Sequence, residues 1–155
     1  MKGSEKIITI LNNLLSDELT AVNQYMVHSE MCNNWGYARL HEKIEKRAID
    51  EMKHAEKLIA RVIFLEGLPV VSKLKQIKIG KNVETQLAND TKAETDAIKA
   101  YNAGIRDAVD VKDNGTRELL EATLKEEEDH LDWLEAQHDQ ITQMGIQNYL
   151  SEQTG

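Results

Sequence analysis

The sequence predicts an all-α fold: four long helices in a bundle, with one long crossover and a short fifth helix at the C-terminal end. Composition points there first. Only one proline and eight glycines interrupt 155 residues, while Ala, Leu, Glu, Lys and Gln, which lose little freedom in a helix, are plentiful. Apolar residues also recur at three- and four-residue spacing through four segments. The links between those segments are two short and one long, which pairs the helices into two hairpins. A chain of this length is expected to form one domain, 1–155, with a core that needs no disulfides.

The first helix is expected from about Ser4 to Asn33, with Ile7, Leu11, Leu14, Glu18, Val22 and Tyr25 on one stripe; Asn33, Asn34 and Gly36 give stop and turn signals. The second, Tyr37 to Glu66, carries Leu40, Ile44, Glu51, His54, Leu58, Val62 and Leu65, and stops at Gly67-Leu68-Pro69. The third, Val83 to Val111, carries Val83, Leu87, Glu94, Ile98, Tyr101 and Ile105, and Asn114-Gly115 reads as a tight turn. The fourth, Thr116 to Met144, carries Leu120, Leu124, Glu127, His130, Leu134 and Ile141. Gly145 ends it, and Ile146 to Ser151 add the short fifth helix. The link from Gly67 to Asn82 reaches roughly 50 Å when extended, enough to run the length of a long helix.

Charge and cysteine content narrow the setting. A net charge of −8 speaks against a surface that coats nucleic acid and suits one that attracts cations. No stretch approaches the roughly 20 apolar residues of a membrane span. Thr9, Asn12 and Asn13 break the apolar run near the start, unlike a secretory signal. The single Cys32 cannot close an internal disulfide, so a reducing compartment, the cytoplasm, is expected.

Six ionisable residues fall inside the apolar stripes: Glu18, Glu51, His54, Glu94, Glu127 and His130. A carboxylate facing a dry core costs several kcal/mol unless it is paired or binds metal. Six such residues on four helices need a common cation. Glu51 and His54 are i, i+3 on one helix, as are Glu127 and His130, so each pair shares a face. The two halves of the chain repeat. Glu18 and Glu51 are 33 residues apart, as are Glu94 and Glu127, and an offset of 76 relates the two sets. Tyr25 and Tyr101 obey the same offset. Glu135 and His138 form a third Glu-x-x-His pair, but Ile59 and Val62 stand at its counterpart positions, so it is a coincidence of an acidic helical chain. Carboxylates with one imidazole per metal suit iron or manganese more than structural zinc. Glu51 and Glu127 are the expected bridges, and Glu18 and Glu94 the expected terminal ligands. Tyr25 is expected to orient a ligand carboxylate or to relay an electron.

One Glu from each of two helices plus Glu-x-x-His from the other two resembles the ferritin-like di-iron proteins. Longer blocks resemble the bacterioferritins: Met1-Lys2-Gly3, Asn23-Gln24-Tyr25, Asp50-Glu51-Met52-Lys53-His54-Ala55, Phe64-Leu65-Glu66-Gly67-Leu68-Pro69, Glu127-Glu128-Asp129-His130, Asp132-Trp133-Leu134-Glu135, and Met144-Gly145-Ile146-Gln147-Asn148-Tyr149-Leu150. The resemblance covers nearly the whole chain. It implies iron storage in a shell of 24 subunits built from two-fold dimers, with two irons per subunit and ferroxidase activity at the di-iron centre. It further implies haem b shared between two subunits, each giving one Met, and the matching residue is Met52. A ferredoxin-like electron donor and a second subunit type are partners known in that family. Glu66, Asp132 and Asn148 match pore positions.

The chain departs from that family at Lys46 and Arg47, where many members carry a His and a Glu near an inner-surface iron site, and at Leu58, often a Tyr. Two cations bind no metal, so no inner-surface site is expected, and Asp50 alone would not make one. His28, His41 and His138 read as surface or interface histidines, and Trp35 and Trp133 as packing or subunit-contact residues. Three rivals compete. A rubrerythrin-like di-iron peroxidase would ordinarily carry a Cys-x-x-Cys module, which Cys32 alone cannot supply. A metal-free helical interaction protein leaves six core-facing ionisable residues unexplained. A DNA-protecting mini-ferritin holds its ligands between subunits, whereas a full set lies here within one chain.

Overall fold

A computed structural model describes residues 1–155 and contains helices and no strands. The elements are α1 (Glu5–Asn34), α2 (Ala38–Phe64), α3 (Val83–Asp110), α4 (Asn114–Met144) and α5 (Ile146–Ser151). The expected four-helix bundle with a long crossover and a short fifth helix is therefore present. Helix α1 packs along α2, α3 along α4, and the two hairpins meet chiefly through α1 and α3. No helix is long and apolar enough to cross a membrane.

Two helix ends differ from the sequence reading. The Asp113 carboxylate accepts the backbone N–H of Thr116 at 3.0 Å, so α4 begins at Asn114 and the Asn-Gly pair forms its first turn. Lys112 takes the left-handed conformation instead, with φ of 61°. At the end of α2, Glu66 adopts φ of 64°. Gly67 serves there by its size, because a Cβ on it would lie 2.8 Å from Ile8 Cγ2.

Apolar layers sit above and below the middle of the bundle. One contains Leu11, Leu14, Leu58, Val62 and Leu120, each 2% exposed or less. The other contains Leu40, Ile44, Leu87, Leu134 and the wholly buried Tyr149 of α5. The Tyr149 hydroxyl donates to Gln137 Oε1 at 2.7 Å, tying α5 to α4. Between these layers lie the ionisable residues, shielded from water on both sides.

The crossover lies along α1, held by a ladder of side chains spaced four residues apart. Asn12 Oδ1 accepts from Val70 N–H, Ser16 Oγ donates to the Lys73 carbonyl, and Thr20 Oγ1 accepts from Lys75 N–H. Gln24 Oε1 accepts from Lys78 N–H, and His28 Nε2 from Gly80 N–H. An extended segment has no internal partners for its backbone, and this polar stripe supplies them.

Candidate metal centre

The helical stripes bring Glu18, Glu51, His54, Glu94, Glu127 and His130 into one buried cluster, none more than 7% exposed. Ligand atoms of Glu18, Glu51, His54 and Glu127 lie within 4.8 Å of one another. His54 Nδ1 faces three carboxylates: Glu127 Oε1 at 3.4 Å, Glu18 Oε2 at 3.5 Å and Glu51 Oε2 at 3.8 Å. Its other nitrogen, Nε2, contacts Glu126, which fixes the ring so that Nδ1 points inward. Across the pseudo-two-fold, His130 Nδ1 lies 2.9 Å from Glu94 Oε1. The His130 ring stacks on Trp133 and meets Tyr25 edge-on.

The tyrosines cross between hairpins. Tyr25, on α1, donates to Glu94 Oε1 on α3 at 2.5 Å, and Tyr101, on α3, donates to Glu18 Oε1 on α1 at 2.5 Å. Each hydroxyl thus binds a carboxylate of the opposite half, Glu94 for Tyr25 and Glu18 for Tyr101.

Arg47 was read from the sequence with Lys46 as an inner-surface departure, and this is corrected. Lys46 is exposed, but Arg47 is 5% exposed and points into the cluster. Its Nη2 lies 2.7 Å from Glu127 Oε2 and 3.4 Å from Glu94 Oε2, and it touches Glu51. The spacing held the signal: Leu40, Ile44, Arg47, Glu51, His54 and Leu58 advance by threes and fours along the buried face of α2. His28 is corrected too. It is wholly buried, bonds Asp90 Oδ1 through Nδ1 at 2.9 Å and accepts Gly80 N–H on Nε2, so it is a structural histidine.

Charge is out of balance in the cluster. Burial pushes Glu18 up, and burial together with neighbouring carboxylates pushes Glu51 and Glu127 well above the usual range. Burial would also raise Glu94, but hydrogen bonds with Glu127 and His130 and the Arg47 charge hold it below that range. His54 would be lowered by burial, yet its contacts with Glu127, Glu18 and Glu51 raise it. His130 is lowered by burial. Four carboxylates thus share too few positive charges.

Five atoms of the six-residue set are buried without an aligned hydrogen bond: Glu18 Oε2, Glu51 Oε1, His54 Nδ1, Glu127 Oε1 and His130 Nδ1. Glu51 Oε1 does touch Arg47, but at an angle that makes no hydrogen bond. Buried carboxylate and imidazole groups without hydrogen-bond partners, four of them within 4.8 Å of one another, fit a divalent cation, and this donor set suits iron.

An all-α bundle with a Glu/His cluster between its four helices is the class of protein that fold and site define. The ferritin-like domain matches residues 8–144. The chain is 41% identical over 149 residues to the bacterioferritin of Brucella melitensis, an overlap of 96% of this chain and 92% of that protein. It is 41% identical over 157 residues to the bacterial ferritin of Paramagnetospirillum magnetotacticum, covering 100% and 96%. It is 38% identical to the bacterioferritin of Rhodobacter capsulatus over 96% and 92%. The chain belongs to the bacterioferritin branch of the ferritin-like family.

Proposed function

We propose that the protein stores iron, taking up Fe(II) as substrate at Glu18, Glu51, His54, Glu94, Glu127 and His130 and oxidising it to Fe(III). The observation that carries this reading is the buried group of Glu18, Glu51, His54 and Glu127, whose ligand atoms lie within 4.8 Å of one another. Glu18, Glu51 and His54 serve one iron, Glu94, Glu127 and His130 the other, with Glu51 and Glu127 between them. Tyr101 and Tyr25 hold the terminal carboxylates in place. Two adjacent irons give up one electron each, so that dioxygen or peroxide receives two together. The ligand set is then the whole of the enzyme: a ferroxidase acting within residues 1–155 as one di-iron domain. Anaerobic Fe(II) titration to saturation should approach two irons per chain. Glu51→Ala and His54→Ala should remove the fast oxidation phase seen by stopped flow, and rapid oxidation by either variant would refute the assignment.

The mineral belongs in the cavity of a 24-subunit shell assembled from two-fold dimers in the cytoplasm, with or without a second subunit type. Met52 follows Glu51 by about 100° around α2 and is 44% exposed, with exposed Ile49 three residues before it. The exposed Met52 thioether, beside exposed Ile49, would hold haem b together with the same residue of a second subunit. When bound, the haem supplies a one-electron carrier, reached from a ferredoxin-like donor, for releasing stored iron. Met52→Leu should lose the haem absorption while Fe(II) oxidation continues, and retained haem would remove Met52 from this role.

A further inference from the structure

The pseudo-two-fold of the centre is kept by its carboxylates, histidines and tyrosines and broken among the residues around them. Glu18 pairs with Glu94, Glu51 with Glu127, His54 with His130, Tyr25 with Tyr101, and Asp50 with Glu126, each 76 residues apart. Lys46 and Arg47, however, correspond to Ala122 and Thr123. Thr123 is buried and its hydroxyl donates to the Leu119 carbonyl of its own helix, leaving the cluster untouched. Arg47 instead places a guanidinium nitrogen against Glu51, Glu94 and Glu127, the three carboxylates around the second metal position.

Lys46 deepens the inequality. On the first side, Glu126 contacts the outer nitrogen of His54. Its counterpart Asp50 is instead bound by Lys46 Nζ at 3.1 Å. Lys46 thus occupies Asp50, the counterpart of Glu126, while Arg47 occupies Glu51, Glu94 and Glu127. The donor atoms of Glu18, Glu51, His54 and Glu127 draw within 4.8 Å of one another, while Glu94, Glu127 and His130 form no such group.

We propose that Arg47 is a resident cation of the second metal position, so that the centre loads its two metals in a fixed order and with unequal affinity. This rests on the metal-centre reading above. The Glu18, Glu51 and His54 position fills first. The Glu94, Glu127 and His130 position fills only when a divalent ion displaces the guanidinium. Two features suit Arg47 to leaving. Its Nε is buried without a partner, so the side chain is held by one nitrogen and not by a two-pronged fork. It also lines a surface pocket of about 320 Å³, into which it can swing because the carboxylates of Asp50, Glu126 and Asp129 face it there beside Lys43 and Lys46. A divalent ion brings twice the charge of the guanidinium to the same three carboxylates. The cost of ejecting Arg47 falls chiefly on the second affinity, because the first position keeps Glu18 and His54 free of the guanidinium and shares only Glu51 and Glu127 with it.

Co(II) tests this without oxidation, because its visible absorption reports binding at equilibrium. The assembled native protein should bind one Co(II) per chain tightly and a second at least about tenfold more weakly. Arg47→Gln should bring the second affinity to within about threefold of the first. Lys46→Ala, at a position 71% exposed where folding is not in question, should narrow the gap by freeing Asp50. Two Co(II) bound with equal affinity by the native protein, or an unchanged gap in Arg47→Gln, would overturn the proposal while leaving the metal centre standing. Absence of Co(II) binding in the native protein and both variants would sink the metal centre itself.

Discussion

The two buried tyrosines make a matched pair whose loss has unequal effects. Tyr25→Phe removes a hydroxyl donated at 2.5 Å to Glu94, and Tyr101→Phe removes one donated at the same distance to Glu18. Glu94 is held low by its contacts, so in the metal-free protein it is a carboxylate and the bond is charge-assisted. Such a bond contributes about 1.5–3 kcal/mol, and losing it should lower the midpoint of a 155-residue chain by roughly 3–12 °C. Burial pushes Glu18 the other way, so its bond before metal arrives is nearer the neutral figure of about 0.5–1.5 kcal/mol. Metal binding requires Glu18 ionised, and the Tyr101 bond then strengthens by about 1–1.5 kcal/mol. Tyr101→Phe should therefore weaken the first Co(II) by roughly five- to tenfold while shifting the melting point less than Tyr25→Phe does. Calorimetric melts of metal-free protein and Co(II) titrations read the two effects separately. Equal melting shifts, or an unchanged first affinity in Tyr101→Phe, would refute the charge assignment.

Other perturbations have equally definite outcomes. Asp113 caps α4, binds Arg61 at 2.8 Å and accepts from the Thr116 hydroxyl at 2.7 Å, so Asp113→Ala should cost about 2–4 kcal/mol in urea unfolding. Burial would raise this carboxyl, but its bonds to Thr116 and Arg61 lower it. Its contribution is thus complete above the ordinary aspartate range and lost as pH falls through the lower folded value, so the native-to-variant gap should shrink in acid. Cys32 is wholly buried and its thiol is pushed up to about 12, chiefly by burial, so a thiol reagent at pH 8 should label it only after unfolding. Gly80→Ala would set a Cβ 2.4 Å from the Gln86 backbone nitrogen, and overpacking of about 1–3 kcal/mol should appear as a lower unfolding midpoint.

Much of this was legible in the sequence because helical periodicity encodes depth. Glu51 and His54 share a stripe with Leu40, Ile44 and Leu58, and only a buried face has that neighbourhood. The 76-residue offset sets the two halves at equal height. Arg47 lies on the same stripe, but its resemblance to an inner-surface position set it with Lys46, and only the facing carboxylates Glu51, Glu94 and Glu127 draw it inward. His28 escaped for a different reason. Its partners, Asp90 and the Gly80 backbone, come from α3 and the crossover, and no spacing within α1 announces them. The start of α4 was displaced because Asn-Gly favours a turn in isolation, while the Asp113 cap favours a helix starting just before it.

The ladder beneath the crossover has a consequence for what the bundle tolerates. Its rungs climb sixteen residues of α1, about 24 Å of rise, on ten residues of connecting chain. They act as a splint that sets the rotation of α1 about its own axis. Turning that rod by a single residue would unhook every rung at once and swing Glu18 about 100° away from its companions. An insertion between Val70 and Gly80, harmless in most surface loops, should here degrade metal binding from outside the metal cluster.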